Sequence, residues 1–104
     1  MSKYLLSPNA VRSLKSIEEY TVNTFGKIQT RIYLKKLHEK MQFIAENPKN
    51  LGKLRTDIVS DWNCYSCFVG SHTIYYEIVS VNEINIIDIL HQSMEPQNHL
   101  INKI

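Results

Sequence analysis

The stretch YSCFVGSHTIYYEIV, Tyr65 to Val79, decides the fold. Two runs of β-branched and aromatic residues flank Gly70-Ser71, which marks them as strands joined by a tight turn. Glycine at the first central position of a two-residue loop supplies the positive φ of a type II′ hairpin. That turn sets the register, with Val69 opposite His72, Cys67 opposite Ile74 and Tyr65 opposite Tyr76. Side chains alternate along a strand, so Val69, Cys67, Tyr65, Ile74, Tyr76 and Ile78 share one face, apolar enough to receive a helical layer. The reverse face carries Phe68, Ser66, Cys64, Thr73, Tyr75 and Glu77 and is mixed.

Downstream, Ile84 to Leu90 is apolar on both faces and is predicted to be covered on both. Upstream, Tyr4-Leu5-Leu6 reads as a short strand. Ser7 is a good N-cap and Pro8 a good first helical residue, which places a helix from Pro8 to Phe25. Gly26 suits the left-handed position that ends it. A second helix follows from Lys27 to Glu46, with Leu34, Leu37, Met41 and Ile44 three and four apart, and Asn47-Pro48 stops it. So short a link demands an antiparallel helical hairpin. Leu54 to Ile58 is either another short strand or the entry to Tyr65, and Pro96 to Ile101 is expected to form one or two helical turns. The sum is an α+β chain of order β-α-α-β-β-β, a helical hairpin on one face of a mostly antiparallel sheet of three to four strands. A single domain is expected, with the hairpin at about 8–46, the sheet at about 54–90 and a tail at 91–104.

With 104 residues, 43% hydrophobic and 21% charged, the chain falls in the globular range and outside the disordered and collagen-like classes. It has no apolar run near the roughly 18–20 residues of a membrane span, and Met1-Ser2-Lys3-Tyr4 opens no signal-peptide core. Two cysteines make no disulfide scaffold, and a cytoplasmic, membrane-free setting is expected. The net charge of +2 hides an asymmetry: Met1 to Asp57 carries +6 and Ile58 to Ile104 carries −4.

Cys64-x-x-Cys67 falls in a strand, so its two thiols point to opposite faces. Their Cα atoms lie about 10 Å apart, too far for a disulfide, and one pair supplies half a zinc site. Small, semi-buried thiols are the expectation, with no metal and no cofactor. His38, His72, His91 and His99 are candidates for acid–base chemistry; with Tyr75, Glu95 and a basic group, His91 would form a metal-independent nuclease site. Lys27, Arg31 and Lys35 form one i, i+4 row on the second helix and Lys36 with Lys40 another. These rows face solvent or else an acidic partner or DNA backbone. Signatures of P-loop, Rossmann, HExxH and zinc-finger chemistry are absent.

Taken together, Phe25-Gly26 with Tyr33 and Leu37, Asn47-Pro48 with Gly52 and Leu54-Arg55, Phe68 to Tyr76, and Ile89-Leu90-His91-Gln92-Ser93-Met94-Glu95 resemble the ParE toxins of the RelE/ParE superfamily. The likeness runs from Tyr4 to Leu100. Glu95 stands where the family's strand-end motif has aspartate, and Ser66, Asp88 and Ser93 stand where arginine is common. The resemblance implies the toxin of a type II toxin–antitoxin system, kept inactive by a ParD-like antitoxin. It further implies inhibition of DNA gyrase, through its GyrA subunit, by stabilising the DNA cleavage complex. Such a protein binds and catalyses nothing, and meets nucleic acid only through gyrase or antitoxin. By the same resemblance the target-binding segment is His91 to Leu100, with His91, Ser93, Met94, Glu95, His99 and Leu100 as its residues. The tail's apolar members either contact the target or pack back onto the sheet. The alternative is a RelE-like ribosome-dependent mRNA endonuclease, with His91 and Tyr75 as its catalytic pair. The charge asymmetry speaks against it, because the C-terminal half holds one basic residue, Lys103, against five acidic ones.

Overall fold

Ser7 starts the first helix and ties it to the sheet with one hydroxyl. Its Oγ accepts the Ala10 N–H at 3.0 Å and donates to the Ile87 carbonyl at 2.6 Å. These contacts come from a computed structural model, which describes residues 2–58 and 63–100. In chain order the elements are β1 (Lys3–Leu6), α1 (Pro8–Glu46), α2 (Pro48–Leu51), β2 (Lys53–Leu54), β3 (Cys64–Val69), β4 (His72–Ser80), β5 (Glu83–His91) and α3 (Pro96–Leu100).

Helix α1 spans 39 residues but leaves helical geometry at Gly26, with φ 87° and ψ 174°. A straight helix of that length would run about 58 Å, yet the longest dimension of the molecule is 40 Å. The chain therefore folds back at Gly26 into two arms, residues 8–25 and 27–46, which is the hairpin expected. The backbone at Gly26 is extended rather than left-handed helical, a conformation that only glycine adopts readily.

The sheet has five strands in the order β1-β5-β4-β3-β2, where three to four were expected. The β3–β4 hairpin has the register derived from its turn, Val69 to His72, Cys67 to Ile74 and Tyr65 to Tyr76, and Gly70 takes φ 58°. The additional strand is β2, two residues long, pairing Lys53 with Ser66 and Leu54 with Tyr65. Residues Arg55 to Ile58 leave the sheet as a turn. At the opposite edge, β1 lies parallel to β5, because the double reversal through the hairpin returns the chain to the sheet beyond β1's own neighbour.

Two cores result. Ala10, Ile17, Leu37, Met41 and Ile44 from α1 pack on Cys67, Val69, Ile74, Tyr76, Ile84, Ile86 and Ile89. Ile58, Cys64, Tyr75, Ile87, Leu90 and Leu100 fill the other face, so β5 is covered on both sides as predicted. The two cysteines belong to different cores, on opposite faces of β3. A bulge accounts for the sharing of β5: Tyr75 pairs with Asp88 and Tyr76 with Ile86, leaving Ile87 extra. Strict alternation would send Ile86 and Ile89 to opposite faces; the extra residue brings both under the helices. Among the described residues no helix is long and apolar enough to cross a membrane.

Candidate functional site

Where the hairpin tip overhangs the end of the sheet, a groove of about 750 Å³ opens between both arms of α1, the end of β5 and the tail. Its walls are Ile17, Tyr20, Phe25, Leu90 and Met94, and its floor is built on Tyr33, His72 and His91. Tyr33 arrives from the second arm, where its position falls on the buried stripe of Thr30, Leu37 and Met41. Its hydroxyl accepts the Ser71 N–H at 3.3 Å and lies 2.6 Å from His72 Nδ1 and 3.3 Å from the Val69 carbonyl. A Cβ on Gly70 would come within 2.8 Å of the Tyr33 ring. Glycine there serves both the turn and the approach of the tyrosine.

His72 and His91 face each other across β4 and β5, with ring centroids 5.4 Å apart, edge to face. The Ser93 N–H donates to His91 Nδ1 at 3.1 Å, and Ser93 Oγ lies 2.8 Å from the same nitrogen. Neutral His91 therefore carries its proton on Nε2. Burial pushes the His72 imidazole below its usual pKa, and neighbouring His91 lowers it further. At the far end of the groove Asp88 is fully buried, with Oδ1 accepting from Ser13 Oγ at 2.5 Å and from the Ile89 N–H at 2.8 Å.

Of the tail residues singled out from sequence, the groove gathers His91, Met94 and His99. Ser93 and Glu95 are exposed beside it. Leu100 is wholly buried in the second core, so it packs and presents no surface. Lys27, Arg31 and Lys35 stand exposed on the second arm, and Lys35 pairs with Glu39 at 3.8 Å.

Tyr75 and His91 are not brought together. Tyr75 is buried in the second core, whereas His91 opens into the groove on the helical side. Burial raises the Tyr75 phenol's pKa, and the Arg55 guanidinium lies 6.0 Å above its ring. Arg55 in turn donates to Asp57 through Nε at 2.9 Å and Nη2 at 2.8 Å, and to Ser66 Oγ through Nη1 at 3.2 Å. That pairing holds the Asp57 carboxyl down at about 2. The charge asymmetry along the chain does not leave the sheet without cations. Lys3 in β1, Lys53 in β2 and Arg55 beside it put N-terminal cations on the sheet itself.

Tyr33, Tyr20 and Phe25 were not legible as site residues, and His72 was legible only as one of four candidate histidines with no partner assigned. Tyr33 carried a usable signal, a hydroxyl on the buried phase of a helix, which must find a partner across the core.

A helical hairpin laid on this sheet, with the first strand parallel at one edge, is the fold of the RelE/ParE class of toxins. The chromosomal ParDE toxin–antitoxin system of P. aeruginosa superposes with a TM-score of 0.72 at 12% identity, over 88% of this chain and 96% of that one. The toxin–antitoxin complex RelBE2 of Mycobacterium tuberculosis superposes with a TM-score of 0.62 at 17% identity, over 88% and 98%. The family profile described as "ParE toxin of type II toxin-antitoxin system, parDE" matches residues 4–96. Toxin ParE1 of Mycobacterium tuberculosis is 32% identical over 99 residues, 95% of this chain and 98% of the relative. The chain belongs to the ParE toxin family.

Proposed function

We propose that the protein arrests growth by binding DNA gyrase at its GyrA subunit and stabilising the cleaved-DNA complex, and that a ParD-like antitoxin holds it inactive. The groove, the exposed tail residues His91, Ser93, Met94 and Glu95 and the half-buried His99 form the contact surface for the target. One observation carries the choice of binding over catalysis: Tyr75 and His91, the pair a nuclease would need together, lie on opposite faces of the sheet. A concave surface with exposed Tyr20, Phe25 and Met94 over a hydrogen-bonded floor instead has the anatomy of a docking site. Antitoxin, as helix then strand, covers apolar surface of the hairpin and an open sheet edge.

Expressed alone the protein should halt growth, and co-expression of the neighbouring small open reading frame should restore it. Purified protein should block gyrase supercoiling and trap cleaved DNA while leaving ribosome-bound mRNA intact. Codon-positioned mRNA cuts with gyrase unaffected would reverse the assignment in favour of a RelE-like endonuclease.

A further inference from the structure

The lining of the groove is divided along its length. Under the hairpin tip, Tyr20, Phe25 and Met94 stand exposed over Tyr33, His72 and His91. At the other end the lining is Asn9, Arg12, Ser13, Ser16 and Asp88, with no aromatic ring among them. Asp88 and His91 mark the two ends, about 10 Å apart along β5. The polar end is closed, because Ser13 of the first arm donates to Asp88 of β5 at 2.5 Å. Asp88 is wholly buried there and also accepts the Ile89 N–H, whereas Arg12 is exposed and donates to the Asn9 amide oxygen. The charge that this lining offers to a ligand is therefore positive. Target docking at the rim and walls leaves the closed polar end unfilled. No unmodified side chain reaches both ends, since tyrosine or tryptophan fills only the aromatic one and aspartate or glutamate only the other.

We propose that the groove binds a free nucleoside 5′-monophosphate, with its base at the aromatic end and its phosphate at Arg12. The base stacks on the exposed rings of Tyr20 and Phe25, with the Met94 sulfur against its edge. Neutral His91, its proton on Nε2, and the exposed Gln29 amide supply donors and an acceptor for the base edge. The Ser13 and Ser16 hydroxyls meet those of the ribose, and the Arg12 guanidinium takes the phosphate in a charge-assisted contact. The inference rests on the groove as a binding site, the reading given above, and adds an occupant for its closed end. A nucleic-acid strand shares this chemistry but calls for a track of cations along its phosphates, and Arg12 is the only Lys or Arg in the lining.

The probe is AMP, titrated into the full chain and followed by amide shifts and calorimetry. Shifts should concentrate in the first arm from Arg12 to Phe25 and around His91, and affinity should fall with added salt. Adenosine and ribose 5-phosphate should each bind at least about tenfold more weakly than AMP. Arg12→Gln should bring AMP down to the level of adenosine and leave adenosine binding where it was. Phe25→Ser should weaken both ligands by about tenfold. Both side chains are exposed, and a urea midpoint near that of the parent chain checks that each variant folds. Val81→Glu, in the β4–β5 turn at 89% exposure, serves as the control and should change nothing. Absence of saturable AMP binding to the isolated chain would overturn the inference while leaving the gyrase assignment to its own assays. Phenyl phosphate or inorganic phosphate bound as tightly as AMP would overturn it too. So would equal AMP affinity in the Arg12 variant, or tighter binding of a 5′-phosphorylated single strand.

Discussion

A Cβ placed on Gly52 would stand 1.7 Å from the Tyr76 hydroxyl, which donates to the Pro48 carbonyl at 2.5 Å. The tyrosine is wholly buried and its phenol is pushed well above its usual pKa by that burial. It has no room to retreat. Gly52→Ala should cost about 2–3 kcal/mol through overpacking and the lost hydrogen bond, read from the urea midpoint. Tyr76→Phe alone should cost about 1 kcal/mol. In the double variant the loss should fall short of the sum, since the hydroxyl that the new methyl strikes is gone. A second residue-scale expectation concerns pH. The His72 pKa is depressed in the folded state, so the unfolded chain binds more protons as pH falls through the unfolded value of 6.5. Stability from this group is complete above that value and is lost on acidification below it, until the folded imidazole also titrates. His72→Gln should flatten the pH dependence of the urea midpoint below about pH 6.5; an unchanged slope would exclude His72 as its source. Both histidines were visible in the sequence, but their facing rings depend on the β4–β5 register, which two irregularities along the ladder shift away from the one that the Val81-Asn82 turn begins.

Among the elements, Gly26 joins the two arms of α1 in a backbone conformation that strains any other residue. Nothing lies within 4 Å of where its Cβ would stand, so a substitution there meets no steric clash and its cost is purely conformational. Gly26→Ala should cost about 2 kcal/mol by thermal or urea unfolding. Gly26→Asn should cost as much, because asparagine relieves the left-handed helical region and this backbone is extended at ψ 174°. A stable asparagine variant would mean the arms rejoin differently. The break itself was legible from one glycine between two apolar periodicities, and the β3–β4 hairpin from one Gly-Ser pair. Strand β2 was left open in the sequence, as a strand over Leu54 to Ile58 or an entry to Tyr65, because two residues, Lys53 and Leu54, contain no period to read. Its start and end are set by where β3 offers an edge.

At the scale of the molecule, the tail has two jobs that sequence could not separate. Leu100 is fully buried with Ile87, Leu90 and Tyr75, while Met94 is 44% exposed at the groove. Leu100→Ala should therefore destabilise by about 2–4 kcal/mol. Deleting residues 95–104 should lower the thermal midpoint, which makes deletion a poor test of toxicity. His91→Ala with Met94→Ala should reduce growth arrest while leaving the unfolding midpoint near that of the parent chain. If arrest persists in that variant, the target surface lies outside the groove.

The periodicities, the caps and the two glycine breaks, at Gly26 and Gly70, were written in the chain because each acts over a few residues, through φ, hydrogen-bond donors and side-chain phase. They sufficed for the hairpin, the register of the central strands and the core face under the helices. Tertiary structure alone decided the rest. The parallel seat of β1, the bulge at Ile87, the meeting of Tyr33 with His72 and the separation of Tyr75 from His91 each join segments 15 or more residues apart in the chain or turn on a single residue of register. Charge shows the same division. Halves of +6 and −4 exist along the sequence, but the sheet takes Lys3 from one end and Lys53 from the middle, because strands are chosen as neighbours by backbone pairing and burial and not by their order in the chain.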